Sequence, residues 1–277
     1  MESRTEPWAA HMTEGKPPFT VRTLDESGVA ITGGTSGVGL ASARQFVAAG
    51  VRRIVLLGRN EERGRAACEM LRTGSPDAHV EFVAVDANDA AQATAAIARA
   101  GELIGSIDVL VNSTTHSAVP MLLHEMPIEE MEVIVTQQAL APLHMTRAVL
   151  PAMRAQRGGA IINIASDAGK IATPGETVIG AAMAGIVMFT RAAAMEAKRD
   201  GIRINVLTPS LITGTPTGDR ALKEGFSAKL FTKAASVAHL GVTQPDDVAG
   251  LVVFLASPAA ARLTGQAISV NGGISAA

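Results

Sequence analysis

The 277-residue chain contains no tyrosine, one tryptophan and one cysteine, and aromatic side chains make up only 3% of it. A core so poor in rings has to be packed from Ala, Val, Ile, Leu and Met. The lack of tyrosine also excludes proton transfer by any phenol belonging to the protein. Cys68 stands alone, so no internal disulfide can form, and no Cys/His grouping has the spacing of a metal site. Charge of one sign is lacking as well: 24 basic side chains against 26 acidic ones leave a formal net charge of -2. That balance provides no electrostatic footprint for nucleic acid or an anionic membrane surface, so a small molecule is the expected partner. Residues 1–20 hold no apolar run of signal-peptide or membrane-span length, and a cytoplasmic location is the default. Residues 1–22, with Lys16-Pro17-Pro18 and scattered charges, are expected to form a disordered leader or a tag-derived segment ahead of one domain over 23–277.

The remaining chain is long enough for one α/β domain with one large core. From Gly28 onward, short aliphatic runs alternate with longer amphipathic, Ala-rich segments. That alternation predicts βαβ units around a parallel sheet buried on both faces. Strands are expected over Val29 to Thr32, Arg53 to Leu57, Val80 to Asp86, Val109 to Asn112, Ala160 to Ala165, Arg203 to Thr208 and Ala267 to Asn271. They make a doubly wound, seven-stranded parallel sheet of Rossmann type in a single domain. Helices are expected over Val38 to Ala49, Glu61 to Arg72, Ala90 to Ala100, Glu129 to Gln156 and Glu176 to Asp200, the last closed by Gly201. Pro216, Gly218 and Gly225 break the rhythm between about 213 and 241, which predicts a lid-like insertion with short helices. Plain surface packing is the alternative for that segment.

The run Thr32-Gly33-Gly34-Thr35-Ser36-Gly37-Val38-Gly39 follows a strand and opens a helix. Glycines there allow a tight turn and let a pyrophosphate approach the free N–H groups and positive end of the helix. Gly33, Thr35, Ser36, Gly37, Val38 and Gly39 are therefore candidate cofactor-binding residues. The second strand ends Leu57-Gly58-Arg59, with no carboxylate at Gly58 to repel a 2′-phosphate. Arg59 can pair with that phosphate, which favours NADPH/NADP+ over NADH. Ser36 stands where a second basic residue would have strengthened the case, so a solvated surface role for Arg59 stays open.

With Asp86, Asn112, Ser166, Pro209 and the closing Leu263-Thr264-Gly265-Gln266 to Asn271-Gly272-Gly273 stretch, this glycine pattern resembles the short-chain dehydrogenase/reductase family from about Val21 to the C-terminus. The resemblance implies that Asp86 and the backbone of Ala87 bind the adenine. It also implies that Asn112 supports the central strand and the ribose, and that Pro209 and Ile212 line the nicotinamide. Ser113, Thr114 and Thr115 depart from the family's Asn-Ala-Gly, so the cofactor floor is expected to differ there.

The family's catalytic tetrad is Asn, Ser, Tyr and Lys. Ser166 matches the serine, implying a role in orienting a carbonyl, and Gln138 takes the asparagine position. The tyrosine is due thirteen residues beyond Ser166 and the lysine four beyond that, where this chain has Ile179 and Met183. The chain thus resembles atypical members that lack both residues. General acid catalysis contributes about 10² to 10⁴ in rate, whereas positioning can contribute on the order of 7 to 11 kcal/mol, so reduction can survive the loss. Among substitute acids, His116 sits after the fourth strand on the ligand-binding side and is a tentative candidate, though a rim histidine without chemical role is the commoner case. Lys170 and Glu176 are expected to face water, and Thr213 and Thr215 to touch the nicotinamide or nothing. The remaining donor is a hydroxyl beside the carbonyl of an aromatic substrate, with Ile179 and Met183 as an apolar floor for a flat ring system. The expected activity is NADPH-dependent reduction of a polycyclic aromatic polyketide ketone. The alternative is an inactive NADP-binding scaffold or regulator. Family resemblance further implies a homodimer or homotetramer.

Overall fold

A computed structural model describes residues 19–223 and 225–276. Seven strands, β1 (Gly28–Thr32), β2 (Arg53–Gly58), β3 (His79–Ala84), β4 (Val109–Asn112), β5 (Gly159–Ile164), β6 (Ile202–Pro209) and β7 (Ala267–Val270), form one sheet. Their order is β3-β2-β1-β4-β5-β6-β7, and every pairing is parallel. The chain moves outward from β1 in one direction and then resumes at β4 on its other side. The carboxyl ends of β1 and β4 therefore flank the point where strand order reverses, the place where open sheets of this kind bind ligands.

Both faces of the sheet are covered, which explains why its strands read as continuous apolar runs. Val29, Ile31, Ile54, Leu56, Val111 and Ile162 pack on one side with Phe46, Val248 and Leu255. Those partners lie on α1 (Gly37–Ala48) and α8 (Pro245–Ala256), and α2 (Glu61–Gly74) adds Ala67, Cys68 and Leu71. On the opposite side Ala30, Val55, Leu57, Leu110 and Ile161 meet α3 (Ala90–Ile104), α4 (Ile128–Ala155) and α5 (Thr177–Ala197) through Ile97, Met145, Met153 and Ala194. Phe46 is the one aromatic ring among the largest fully buried side chains; aliphatic residues and methionine supply the rest. By length and composition, the stretch Thr177–Asp200 is apolar enough to cross a membrane. Half of its most apolar window is buried inside the protein, which identifies it as a core helix.

Several expectations need correction. The strand expected to reach Asp86 ends at Ala84, and Asp86 instead folds into a turn in which its Oδ1 accepts from the Asn88 N–H at 3.0 Å. The helix α8 was absent from the expected set, although Pro245 at its first turn followed by Asp246 and Asp247 is a helix-start signature. The segment 213–241 carries α6 (Pro216–Ala221) and α7 (Gly225–Val237), as the broken rhythm there implied. The expected disordered leader falls mostly on residues 1–18, outside the described residues. Residues 19–22 are ordered: the Thr20 N–H donates to the Arg157 carbonyl at 3.0 Å, the Arg157 guanidinium lies 5.3 Å over the Phe19 ring, and Arg22 pairs with Asp108 at 3.1 Å.

Candidate active site

Beyond the carboxyl ends of β1, β4, β5 and β6 lies a cleft of about 860 Å³. Of the cofactor residues expected from sequence, Gly33, Thr35, Ser36, Gly37, Val38, Arg59, Asp86, Ala87, Pro209 and Ile212 line it. Ser166, Gln138, Ile179, Met183 and His116 line the same cleft. Gly39 and Asn112 are not part of its wall. Gly39 lies one layer below, where a side-chain carbon would come within 2.2 Å of the Gly33 carbonyl oxygen, so its bareness lets α1 pack against the loop that follows β1. Asn112 is 1% exposed and turns into the core. Its amide donates to Asn163 Oδ1 at 2.9 Å and Thr146 Oγ1 at 3.3 Å, and Asn163 in turn donates to Thr190 Oγ1 at 2.8 Å. This buried polar chain ties α4, β4, β5 and α5 together; with both ends inside the core, losing a link would strand donors away from water.

A nicotinamide dinucleotide fits the residues present. Gly37 holds a φ of +50°, a conformation glycine adopts without strain, and Gly33 has a φ of +75° where a side chain would strike the Ser113 carbonyl. Three buried oxygens on cleft-lining residues, Thr32 Oγ1, Asn88 Oδ1 and Thr114 Oγ1, have no hydrogen-bond partner within the protein. Unpaired buried polar atoms are rare, and three of them on cleft-lining residues match a polar ligand. Sequence reasoning missed Asn88 and Arg63. Arg63 follows Arg59 by four residues across the start of α2, lines the cleft and, like Arg59, forms no ion pair among the described residues. Helical spacing alone would have placed it there.

Around the reactive end, the departures from the family pattern support one another. Gln138 Oε1 accepts from the His116 N–H at 3.1 Å and from Thr115 Oγ1 at 3.3 Å, so the glutamine pins the loop that the bulkier Ser113-Thr114-Thr115 run creates. His116 Nδ1 accepts from the Ala118 N–H at 3.2 Å, which leaves Nε2 as the protonated nitrogen of the neutral ring. Ser166 Oγ accepts from the Ala168 N–H at 3.2 Å, leaving its own hydrogen available to a ligand oxygen. Ile179 and Met183 are each 6% exposed, one turn apart on α5. Lys170 does not line the cleft, and its Nζ donates to Ser269 Oγ at 2.6 Å. Thr215 lines the cleft and caps α6 by accepting from the Gly218 N–H at 3.0 Å, whereas Thr213 stays outside.

Glu176 contradicts the expectation that it faces water. It lines the cleft, and burial pushes its carboxyl up to about 7; a hydrogen bond from Thr173 lowers it and the nearby Asp167 charge raises it. The folded pKa lies above the ordinary value of 4.5, so the native state holds this proton more tightly than the unfolded chain. Stability linked to Glu176 is therefore complete below the unfolded pKa, declines as pH rises through the folded one, and ends lower by roughly 3 kcal/mol at most. Urea unfolding of the wild type and Glu176→Gln between about pH 5 and about pH 8.5 is expected to show the wild type losing stability relative to the variant. Parallel curves would contradict a buried, titrating Glu176.

Comparison with known proteins agrees with this geometry. A family profile described as enoyl-(acyl carrier protein) reductase matches residues 33–275. The chain is 35% identical over 255 residues to a putative ketoacyl reductase of the monensin polyketide synthase from Streptomyces virginiae, covering 88% of this chain and 95% of the relative. It is 33% identical over 247 residues to a 3-oxoacyl-(acyl-carrier-protein) reductase of Chlamydia muridarum, with the same coverage of 88% and 95%. Among solved structures, a short-chain oxidoreductase of Pseudomonas aeruginosa described as containing an atypical catalytic centre superposes with a TM-score of 0.83 at 27% identity, covering 92% of this chain and 100% of that one. A 3-ketoacyl-(acyl-carrier-protein) reductase of Brucella melitensis complexed with NADH gives a TM-score of 0.80 at 26% identity, covering 92% and 100%. On profile, sequence and fold alike, the chain belongs to the short-chain dehydrogenase/reductase family of nicotinamide-dependent oxidoreductases.

Proposed function

We propose that the chain is an NADPH-dependent ketoreductase that reduces a carbonyl of a polycyclic aromatic, angucyclinone-like polyketide in antibiotic biosynthesis. The observation that carries this reading is the lining of the cleft at the carboxyl ends of the strands. Arg59 and Arg63 line the cleft after β2, the glycine cradle follows β1, and Ser166, Ile171, Ile179, Met183, Leu230 and Phe231 line it beyond β5. A cationic pair suits a 2′-phosphate, and the apolar side chains among the lining residues suit a flat ring system. The polyketide synthase reductase of Streptomyces virginiae supports a polyketide ketone. The replacement of tyrosine and lysine by Ile179 and Met183 resembles the angucyclinone ketoreductases.

When bound, the dinucleotide supplies the hydride. Ser166 donates its hydroxyl hydrogen to the carbonyl oxygen and stabilises the charge that grows there. Gln138 holds the Thr115 hydroxyl and the His116 N–H in place, and Ile179 and Met183 form the surface against which the rings lie. The helices α6 and α7 contribute to the cleft wall, α7 through Leu230 and Phe231. A phenol beside the substrate carbonyl is one proton source that this arrangement permits. The exposed Val133 and Val135 on α4 and Met188 and Met195 on α5 support assembly into a homodimer or homotetramer, and the single buried Cys68 suits the cytoplasm.

Following NADPH absorbance with purified protein and a panel of aromatic ketones tests the reading. Turnover of 8-hydroxy-1-tetralone and larger polycyclic ketones is the expected result. Tight NADPH binding with no turnover of any ketone would instead establish a dinucleotide-binding scaffold or regulator.

A further inference from the structure

The apolar wall that replaces the tyrosine and lysine has a carboxyl group at its foot. Glu176, the residue that precedes α5, lies three residues before Ile179 and seven before Met183 of α5, and all three line the cleft, so Glu176 stands just ahead of the position where the family places its acid. Its backbone is fixed from both directions: its N–H donates to the Thr173 carbonyl at 3.0 Å, and its carbonyl accepts from the Gly180 N–H at 2.5 Å. The preceding Gly175, at a φ of +84°, packs under the Phe226 ring of α7, and its carbonyl accepts from the Met121 N–H at 2.8 Å. Two distant segments thus pack on the residue preceding Glu176, which is itself half-buried, and the loop carrying Ser166 lines the same cleft.

We propose that Glu176 is the general acid of this enzyme, passing its carboxyl proton to the oxygen of the carbonyl that Ser166 orients. The assignment rests on the reductase reading above. As hydride from the reduced nicotinamide forms the new C–H bond, the carbonyl π pair moves onto oxygen. That oxygen takes the proton from a Glu176 carboxyl oxygen, leaving an alcohol and a carboxylate, and the carboxylate regains a proton from water at the cleft mouth. A proton near neutrality is available because burial favours the uncharged carboxyl. The ionisable groups around it are few. Asp167, on the short 3-10 helix Asp167–Gly169, raises the Glu176 pKa, while Thr173 lowers it through its hydroxyl. His116 and Arg220 line the same cleft from the β4 loop and α6, and Lys229 and Lys233 of α7 are exposed to water.

The decisive pair of substrates is 8-hydroxy-1-tetralone and 8-methoxy-1-tetralone, because only the first can supply its own phenolic proton. With Glu176 as donor, wild-type protein and NADPH reduce both ketones, and kcat declines as pH rises through about 7. Glu176→Gln then lowers kcat on both by about 10²-fold, flattens that decline and leaves NADPH affinity unchanged. Thr173→Val, which removes the bond that lowers the pKa, moves the decline to higher pH, a shift that loss of packing alone would not produce. Independently of turnover, infrared difference spectra of the ligand-free protein are expected to show a protonated-carboxyl band that titrates near neutrality and is missing from Glu176→Gln. Reduction confined to the hydroxylated ketone, with Glu176→Gln within threefold of wild type, would overturn the assignment and leave the reductase reading standing. No NADPH oxidation by wild-type protein with either ketone or with larger polycyclic ketones would overturn both.

Discussion

Replacing Gly39 with alanine is expected to weaken NADPH binding by roughly 10- to 100-fold, without unfolding the protein. Helix propensity alone argues the opposite, since alanine inside a helix is favoured over glycine by about 1 kcal/mol. Sterics decide against it. The added carbon would sit 2.2 Å from the Gly33 carbonyl oxygen and 3.1 Å from the Gly34 α-carbon, and neither backbone atom can swing away as a side chain would. The turn after β1 or the start of α1 has to move, and forced repacking of this kind costs typically 1–3 kcal/mol. Both segments form the cradle, so the displacement is felt first as lost affinity. Fluorescence titration with NADPH reads the effect, and circular dichroism confirms that the helices persist. An affinity within threefold of wild type would mean that the loop following β1 does not hold the pyrophosphate.

The second large effect is expected from removing the cation pair. Arg59→Ala together with Arg63→Ala should weaken NADPH binding by on the order of 30-fold, because each arginine offers charge-assisted hydrogen bonds to a 2′-phosphate. NADH carries no such phosphate, and its affinity should change by less than about threefold. The two side chains are exposed, so the discrimination should narrow as salt is added. Equal losses for the two dinucleotides would place the arginines elsewhere, on the shared pyrophosphate or on folding.

What was legible in the sequence followed from local physics. Strands such as β1, fully buried along Val29-Ala30-Ile31, have to be written in aliphatic residues, and the glycine run is dictated by the backbone it allows. The N–H of Gly201, at a φ of +77°, ends the helical stretch after α5, as its sequence position implied. Illegible features depend on chain segments far apart. Nothing near Glu176 announces that Phe226 and Met121, about fifty residues away on either side, will cover its turn. A glutamate between a Pro-Gly pair and a helix start reads as solvated until those segments close. Asn112, which the family resemblance implied to support the central strand and the ribose, turns its side chain inward to Asn163 and Thr146. Local signals do mark α8, through Pro245 and the two aspartates that follow it, and Arg63, four residues beyond Arg59.

Whether hydride moves from NADPH to a ketone carbon on this protein is measured most directly with deuterium. NADPH deuterated at both C4 positions and 8-hydroxy-1-tetralone would be incubated with the purified chain, and the product analysed by mass spectrometry and proton NMR. One deuterium at the carbinol carbon, with the signal of that hydrogen lost, is the predicted result. An unlabelled alcohol, or no alcohol at all while NADPH remains bound, would contradict carbonyl reduction as the function of this cleft.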